Sequence, residues 1–476
     1  MANKVKTVFA NMSWLMVSQL LTSVLAFVWT ILTARYLGPS DYGIFGTAVS
    51  LSTLFGVFAT FGISTYIVRS ISTDFENEDK YVNNTLSLKI FLAIIYFTLI
   101  FITTVLLGWK RYVIGICLLF ALEYFIKTID DIFFASFQAH EKMKYQAITN
   151  IVFNVLTFVF IVLVVLTDWG LLGITFAYIF ANLAGMFYAY YAMRKHIMKP
   201  MLTFDFQFYK KLIKAGIPFA LTGIFYIIYY SIDVVMITQF SSTYATGLYN
   251  SAYKLINVLN LFYSIYTAAV FPVMSKLFVG EKDLLNMSFI KSMKYLTLVT
   301  LPIAVFTTFY GYDLIAIYGS EFMEAGGVLQ ILIWTVCFLF INGACSLILN
   351  ASHKEYSVTK IYSIAAVFNV CLNFILIPKY SVHGAAFATV LSEILILILE
   401  MYMVKKIGQL PDKHFVFDIL KIIFASCVLA GVLYVLNLNL WVAMVVSVVV
   451  YFSVILLIRT VDSEDKMIIN QIIGKK

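Results

Sequence analysis

Polar residues recur at helical spacing within one long apolar segment of the chain. Asn250, Lys254, Asn257, Asn260 and Ser264 follow steps of three or four residues, so they share one broad face of a helix. A helix surrounded by hydrocarbon does not carry such a row, and this face is therefore predicted to line water or a polar partner. Lys254 is the member of the row that can bind a phosphate group.

The preceding apolar segment presents Tyr226, Tyr229 and Asp233 at steps of three and four residues, and its tyrosines could stack on sugar rings. In an antiparallel hairpin Asp233 and Lys254 would lie at the same depth, roughly 10 Å below the outer surface. One interpretation is a structural salt bridge that neutralises two buried charges. The other is that Lys254 binds phosphate when a cavity opens, while Asp233 takes part in gating or ion coupling.

Another apolar segment concentrates charge at Glu123, Lys127, Asp130 and Asp131. The first three share a helix face and can neutralise one another. The group is either an internal ion-pair cluster that packs this part of the chain or a relay for protons or sodium ions. The adjacent aspartates are also typical of sugar transferases, but those enzymes need a metal and a nucleotide-sugar domain, for which this chain has no room.

Three further charged residues lie near the predicted ends of apolar segments. Arg35 could hold phosphate in a bidentate fork or extend to lipid headgroups. Lys89 is about five residues from an inner end, where we expect its ammonium group to reach the headgroup region. Glu400 shares a face with Glu393 and lies near an inner end, where we expect it to be solvated.

The composition indicates that the elements carrying these residues are membrane spans. Of the 476 residues, 62% are hydrophobic and 12% charged, and the mean hydropathy is +0.92. These values exclude a soluble enzyme, a disordered chain and a nucleic-acid-binding domain. The five cysteines all lie in apolar runs without a CxxC motif, so we predict no disulfide framework, no metal site and no cofactor.

Apolar runs long enough to cross a bilayer as helices recur along the whole chain. We predict an all-α polytopic membrane protein with about fourteen spans, near 12–34, 43–68, 84–108, 113–137, 147–167, 171–193, 215–240, 247–275, 295–312, 326–350, 358–378, 383–404, 418–437 and 440–458.

The basic residues predict the orientation of these spans. With a cytoplasmic N-terminus, 26 of the 33 lysines and arginines fall on the inner side, and only Arg35, Lys110, Arg111 and Lys379 fall outside. This bias predicts that both termini are cytoplasmic. It also explains the net charge of +8 by topology and contact with the anionic lipid bilayer, without nucleic acid.

The chain contains a weak internal repeat. The connection from Arg35 to Gly43 aligns with the connection from Gln239 to Gly247 at an offset of 204, and 173–177 aligns less closely with 384–388. Spans 1–6 and 7–12 are therefore predicted to be two copies of one six-helix unit with the same orientation. Repeats of this kind make transporters whose site lies between the halves.

The repeat and the linker composition together predict the domain organisation. We expect a first six-helix lobe at 1–194, a basic cytoplasmic linker at 195–214 and a second six-helix lobe at 215–404. Two extra transmembrane helices and a cytoplasmic tail occupy 405–476. Spans 1, 2, 7 and 8 carry the polar faces and are the predicted cavity wall.

Four stretches resemble one known family in their order and spacing. ARYLGPSDYGIF after span 1, SIDVVMITQFSSTYATGLYNSAYKL over spans 7 and 8, VFPVMSKL ending span 8 and GAAFATVLSE in span 12 are similar to the polysaccharide-biosynthesis (O-antigen type) flippases. Their superfamily also holds multidrug extrusion transporters and lipid II flippases. The resemblance implies two six-helix lobes in a V. It also implies alternating access that moves a polyprenyl-pyrophosphate-linked oligosaccharide from the inner to the outer leaflet for surface polysaccharide assembly.

Three functions remain open at this point. The leading one is the lipid-linked oligosaccharide flippase, with proton or sodium coupling and a polysaccharide polymerase complex as possible partners. The second is a multidrug or organic-cation antiporter of the same superfamily, but span 1 has no acidic residue and the candidate cavity charges include Lys254 and Arg35, which suit an anion. The third is an integral-membrane polymerase or glycosyltransferase, which would need a larger outer loop. The expected location is a bacterial or archaeal cytoplasmic membrane.

Overall fold

The computed structural model describes residues 2–409, 411 and 413–460, and this part of the chain is helical without any β-strand, as predicted. The tail predicted after position 460 lies outside the described residues. The helices are α1 Ala2–Thr60, α2 Ile63–Thr73, α3 Glu78–Leu106, α4 Arg111–Ala139, α5 Met143–Thr167, α6 Gly170–His196, α7 Phe206–Phe240, α8 Thr243–Gly280, α9 Lys282–Ile315, α10 Ala325–Ala351, α11 Glu355–Lys406, α12 Lys413–Leu436 and α13 Leu440–Leu457.

Two of these helices are broken where the sequence predicts a connection between spans. In α1 the break lies at Gly38, whose φ is 68°, a value that glycine adopts without steric strain. The following Pro39 has no backbone N–H to donate. In α11 it lies at Ser381, with φ 50°. A Cβ at Gly384 would come within 2.4 Å of the carbonyl oxygen of Leu376, so the chain turns sharply between these two residues.

Eleven helices in the described part of the chain are long and apolar enough to cross a membrane, or twelve if one bent pair in α8 counts as a single span. Two of the eleven, Ser13–Thr60 and Glu355–Lys406, have 48 and 52 residues and contain the breaks at Gly38 and Ser381. One span needs only about 20 residues. If each of these two long helices forms two spans, the twelve spans become fourteen. The number of fourteen stays a prediction.

Residues up to Asn250 form a first compact unit. One face of α2 is buried at steps of four residues, by Ile63, Ile67 and Ile71, and packs into a core shared with α3, α4, α6 and α7. Within this unit α7 packs against α1 and α2. The lobe boundaries that the repeat suggests stay a prediction.

Residues from Ser251 onward form a second compact unit, in which α10 packs against both α9 and α11. The two helices outside the repeat, α12 and α13, pack against α9. The Tyr310 hydroxyl donates a hydrogen bond to the carbonyl oxygen of Leu438 (2.9 Å), and the Tyr451 hydroxyl donates to that of Leu298 (2.9 Å). These bonds satisfy tyrosine hydroxyls inside an apolar interface, where an unpaired one would be costly.

An ion pair also joins α9 to α12. The Lys294 ammonium lies 2.7 Å from a carboxylate oxygen of Asp418, and the lysine side chain is only 2% exposed. Asp418→Ala would leave this buried cation without its carboxylate, so we expect a loss of about 3 kcal/mol in stability. Thermal unfolding in detergent measures the loss. Asp313→Ala, which removes an exposed carboxylate of α9, is the control; equal melting temperatures for the two variants would contradict the assignment.

Candidate functional site

The break in α1 and the turn between α7 and α8 meet at two glycines of the first unit. A Cβ on Gly43 would lie 1.7 Å from the carbonyl oxygen of Thr243, and a Cβ on Gly247 would lie 1.9 Å from that of Pro39. No side chain fits at either place. Only the missing Cβ of glycine lets the two backbones approach so closely.

These two contacts are reciprocal under the repeat. Pro39 and Thr243 are 204 residues apart, as are Gly43 and Gly247. Each glycine therefore contacts the residue that lies four positions before its equivalent glycine in the other half of the repeat. Gly46 and Asn250, about one helical turn further along, are also equivalent under the repeat. The Asn250 amide occupies the space next to Gly46, since a Cβ on Gly46 would lie 1.7 Å from its Nδ2 atom. We call the contact made by Gly43, Gly46, Gly247 and Asn250 with their neighbours the glycine crossing.

Hydroxyl groups extend the glycine crossing. The Oγ1 atoms of Thr47 on α1 and Thr238 on α7 are 2.5 Å apart, and Thr238 is 2.8 Å from Thr246 on α8. The Trp109 indole donates to the side-chain carbonyl of Gln239 (2.8 Å) beside it. The predicted outer part of α1, near its break, is therefore joined to the end of α7 and the beginning of α8 by hydrogen bonds as well as by close packing.

Adding a methyl group to either glycine is expected to open the glycine crossing. Gly43→Ala or Gly247→Ala must displace a backbone carbonyl, because a gap below 3 Å cannot hold a Cβ. If the chain is the transporter that the repeat predicts, we expect about a tenfold or greater fall in transport by folded protein, because a shift of only 1.4 kcal/mol in a conformational equilibrium suffices. Gly223→Ala in α7, where a Cβ meets nothing within 4 Å, is the matched control. Wild-type rates for both glycine variants would show that the close backbone approach at the crossing is not needed for transport.

The polar residues predicted on α7 differ in their surroundings. Tyr226 is 54% exposed, and its ring centroid lies 4.5 Å from that of Tyr230. Tyr229 is buried and packs edge-on against Tyr230, so in this conformation it supports the aromatic pair rather than offering a surface for sugar. Asp233 is buried too, and it accepts a hydrogen bond from the Tyr249 hydroxyl (2.9 Å). The predicted Asp233–Lys254 pair stays a prediction.

The polar row on α8 is accessible over most of its length. Lys254, Asn257 and Ser264 are exposed, and Asn260 donates to Asn257 (3.2 Å). At the beginning of the row, the Nδ2 of Asn250 is buried against Gly46 and has no hydrogen-bond partner among the described residues. The row thus offers an ammonium group and amides on one accessible helix face.

Arg35 lies at the predicted outer end of the first span and is exposed. The neighbouring Tyr36 fixes this end, because its hydroxyl donates to Asp168 (2.9 Å) and accepts from the backbone N–H of Gly170 (2.7 Å) at the α5–α6 turn. Headgroup contact and phosphate binding both stay open for this arginine.

The charged residues of α4 are not joined by direct ion pairs. Glu123 accepts a hydrogen bond from the Asn182 amide of α6, and Lys127 is exposed. No nitrogen–oxygen distance within 4 Å links Lys127 to Glu123, Asp130 or Asp131 among the described residues. The predicted neutralisation of these charges by one another therefore involves no direct ion pair in the described part of the chain.

Lys89 adds a second positive charge near the α4 cluster. It is 1% exposed, its ammonium has no hydrogen-bond partner among the described residues, and the charges of Asp130 and Asp131 act on it. The expectation that Lys89 reaches the headgroups is wrong, because α3 turns this side chain inward towards α4. Opposite charges at similar predicted depths on two consecutive spans were the sequence signal that Lys89 and the α4 aspartates influence one another.

A second acidic cluster lies in the second unit. Glu393 accepts a hydrogen bond from Asn342 of α10 (2.8 Å), and Glu400 accepts one from Ser346 (2.5 Å). Glu400 is 0% exposed, so the expectation that it is solvated is wrong: α10 covers it. The signal was the polar pair Asn342 and Ser346, one turn apart in an otherwise apolar span.

Comparisons with known proteins agree with this architecture. The family model for the polysaccharide biosynthesis protein matches residues 8–278, more than half of the chain. An uncharacterized membrane protein of Methanocaldococcus jannaschii, MJ1068, is 25% identical over 94% of both chains. The capsular polysaccharide biosynthesis protein CapF of Staphylococcus aureus is 22% identical over 83% of this chain and 99% of its own.

Two solved structures show the same fold. The lipid II flippase MurJ in an inward closed conformation superposes with a TM-score of 0.78 at 18% identity, over 92% of this chain and 97% of its own. An inward-facing multidrug resistance MATE transporter of the MOP superfamily superposes with 0.65 at 13% identity, over 82% and 96%. The fold is thus a two-lobed one shared by flippases and drug transporters, and the family match places the chain more closely: it belongs to the polysaccharide biosynthesis protein family.

Proposed function

We propose that the chain is a flippase that moves polyprenyl-pyrophosphate-linked oligosaccharides from the inner to the outer leaflet. The observation that carries the proposal is the exposed side chain of Lys254 within the polar row of α8. In a chain this apolar, an accessible cation on a spanning helix marks a functional path by default. A lysine ammonium can hold a pyrophosphate as a point charge.

The other candidate residues fit the sugar part of such a substrate. Tyr226 offers an exposed ring, and Asn257 offers an amide on an accessible face. Aromatic faces and amides are the groups that bind the apolar and hydroxylated sides of a sugar ring. Arg35 would meet the pyrophosphate near the outer surface after the head group has crossed.

Transport would require the glycine crossing to separate. In this structure the contact joins the part of α1 near its break to the end of α7 and the beginning of α8, by backbone packing and by the pair Thr47 and Thr238. A head group that leaves on the outer side between the two halves of the repeat has to pass this point. We therefore assign the crossing as the outer gate, with Asp233 and its partner Tyr249 beside it.

The energy source in this proposal is a proton or sodium gradient. Glu123, Lys127, Asp130 and Asp131 supply ionisable groups in the first unit, and burial of a charge makes its protonation state sensitive to conformation. The flippase would lie in a bacterial or archaeal cytoplasmic membrane with both termini in the cytoplasm, and a polymerase would consume its product.

Reconstitution tests the proposed function. Liposomes carrying a labelled polyprenyl-pyrophosphate oligosaccharide in the inner leaflet are followed for exposure of the sugar to an external enzyme. Protein-dependent exposure is the expected result. No exposure above empty liposomes, together with gradient-driven efflux of an organic cation, would instead assign the multidrug antiporter function.

A further inference from the structure

An apolar cavity of about 380 Å³ lies in the first unit, apart from the residues assigned to transport. Its walls come from α3, α4 and α6, and its remaining side is formed by the linker residues Pro200, Met201 and Leu202. A volume of this size is within the range of small-molecule sites. The cavity does not include any residue of the polar row on α8.

The cavity opens to the surface of the unit through apolar side chains. Phe187 on α6 is 64% exposed, and Met201 and Leu202 are more than half exposed. In a membrane-spanning chain, large exposed apolar side chains face hydrocarbon. The occupant therefore enters from the bilayer and is itself apolar where it lies in the cavity.

The linker side of the cavity is built by specific hydrogen bonds. The side-chain oxygens of Asn83 and Asn84 on α3 accept from the backbone N–H groups of Met201 (2.8 Å) and Asp205 (3.1 Å). The hydroxyls of Ser87 and Tyr209 both donate to the carbonyl oxygen of Thr203, the latter at 3.2 Å. An extended segment with this many bonds holds its apolar side chains in one place.

Three exposed cations are close in sequence to residues that line the cavity. Arg194 and Lys195 follow the lining residue Tyr190 by about one helical turn, and Lys199 directly precedes the lining residue Pro200. The ammonium of Lys195 donates to the Tyr191 hydroxyl (3.0 Å), which keeps it near this end of α6. An apolar cavity with cations at its rim matches a molecule with an apolar chain and an anionic head.

We propose that this cavity binds one acyl chain of an anionic phospholipid of the cytoplasmic leaflet, with the head group held by Arg194, Lys195 and Lys199. The positive-inside bias places these cations at the inner surface, where such lipids are found. The bound lipid would fasten the linker to the first unit. This site does not depend on the substrate assigned above.

Native mass spectrometry of the full-length protein tests the site. The protein is released from equimolar phosphatidylglycerol and phosphatidylcholine with identical chains, and the retained lipids are counted. We expect one retained phosphatidylglycerol in preference to phosphatidylcholine. The combined variant Arg194→Gln, Lys195→Gln and Lys199→Gln should lose that preference, by about fivefold for each cation removed. Leu202→Trp, which fills the cavity from an exposed position, should lose retention of both lipids.

The matched control removes the same charge elsewhere. Lys360→Gln, Lys405→Gln and Lys406→Gln together change three exposed lysines of the second unit and should leave the preference intact. Equal retention of both lipids by the wild type, or an equal loss in the control, would overturn the proposal. So would displacement of phosphatidylglycerol by added polyprenyl phosphate, which would make the cavity a site for the substrate's tail. Unchanged melting temperatures establish that each variant is folded.

Discussion

Cysteines introduced together by Thr47→Cys and Thr238→Cys are expected to form a disulfide that stops transport. The two Oγ1 atoms are 2.5 Å apart, so sulfur atoms at these positions come within bonding reach without a large backbone movement. If the glycine crossing is the outer gate, a covalent bond across it holds the gate closed. Transport by the oxidised double variant should fall to the level of empty liposomes and return after reduction.

The disulfide experiment carries its own controls. Cys371 and Cys427 are exposed and are first replaced with serine, so that neither can compete with the new pair for oxidation. Each single substitution, treated with the same oxidant, should transport at the rate of its reduced form. A double variant whose disulfide forms quantitatively while transport continues would show that α1 and α7 do not separate during the cycle.

Lys254→Ala is expected to reduce flipping by roughly 10- to 100-fold, because hydrogen bonds to a charged group are worth about 1.5–3 kcal/mol. Lys254→Arg keeps the positive charge and should retain much of the rate. Lys276→Ala removes another exposed lysine of the same helix and should have no effect. The measurement is the initial rate of sugar exposure in liposomes with equal amounts of folded protein.

The outcome at Lys254 separates charge from packing. If alanine and arginine variants are equally slow, the side chain acts through its shape, and the polar row does not bind the pyrophosphate. If the alanine variant is as fast as the wild type, Lys254 is outside the substrate path. In either case Asn257 and Tyr226 would have to be tested separately, because neither depends on the lysine for its position.

The connections between spans could be predicted closely from the sequence. The break at Gly38 falls in the stretch that the repeat singles out, where a glycine that can adopt a positive φ is followed by a proline that has no N–H to donate. The reciprocal contact of Gly43 and Gly247 was also present in the repeat as two aligned glycines. The contact between them could not be predicted from the sequence, because two backbones that approach each other closely leave no characteristic side-chain pattern.

The buried charges were harder to predict. The distance of Lys89 from a predicted helix end suggested headgroup contact, but its side chain points into the unit. Glu400 was misjudged for the same reason, since Ser346 and the rest of α10 cover it. Position along a span can be estimated from sequence, whereas the direction in which one face points depends on which helices pack against it.

The pair of Gly46 and Asn250 shows one way in which the two halves of the predicted repeat differ. The two residues are equivalent under the repeat, yet the amide of one fills the space that the other leaves free. Two identical lobes would carry the same residue at both places: two asparagines would compete for one space, and two glycines would leave it empty. A symmetric homodimer has to be complementary to itself. In the predicted repeat both copies belong to one chain, so that constraint does not apply and an asparagine can pack against a glycine at the equivalent position.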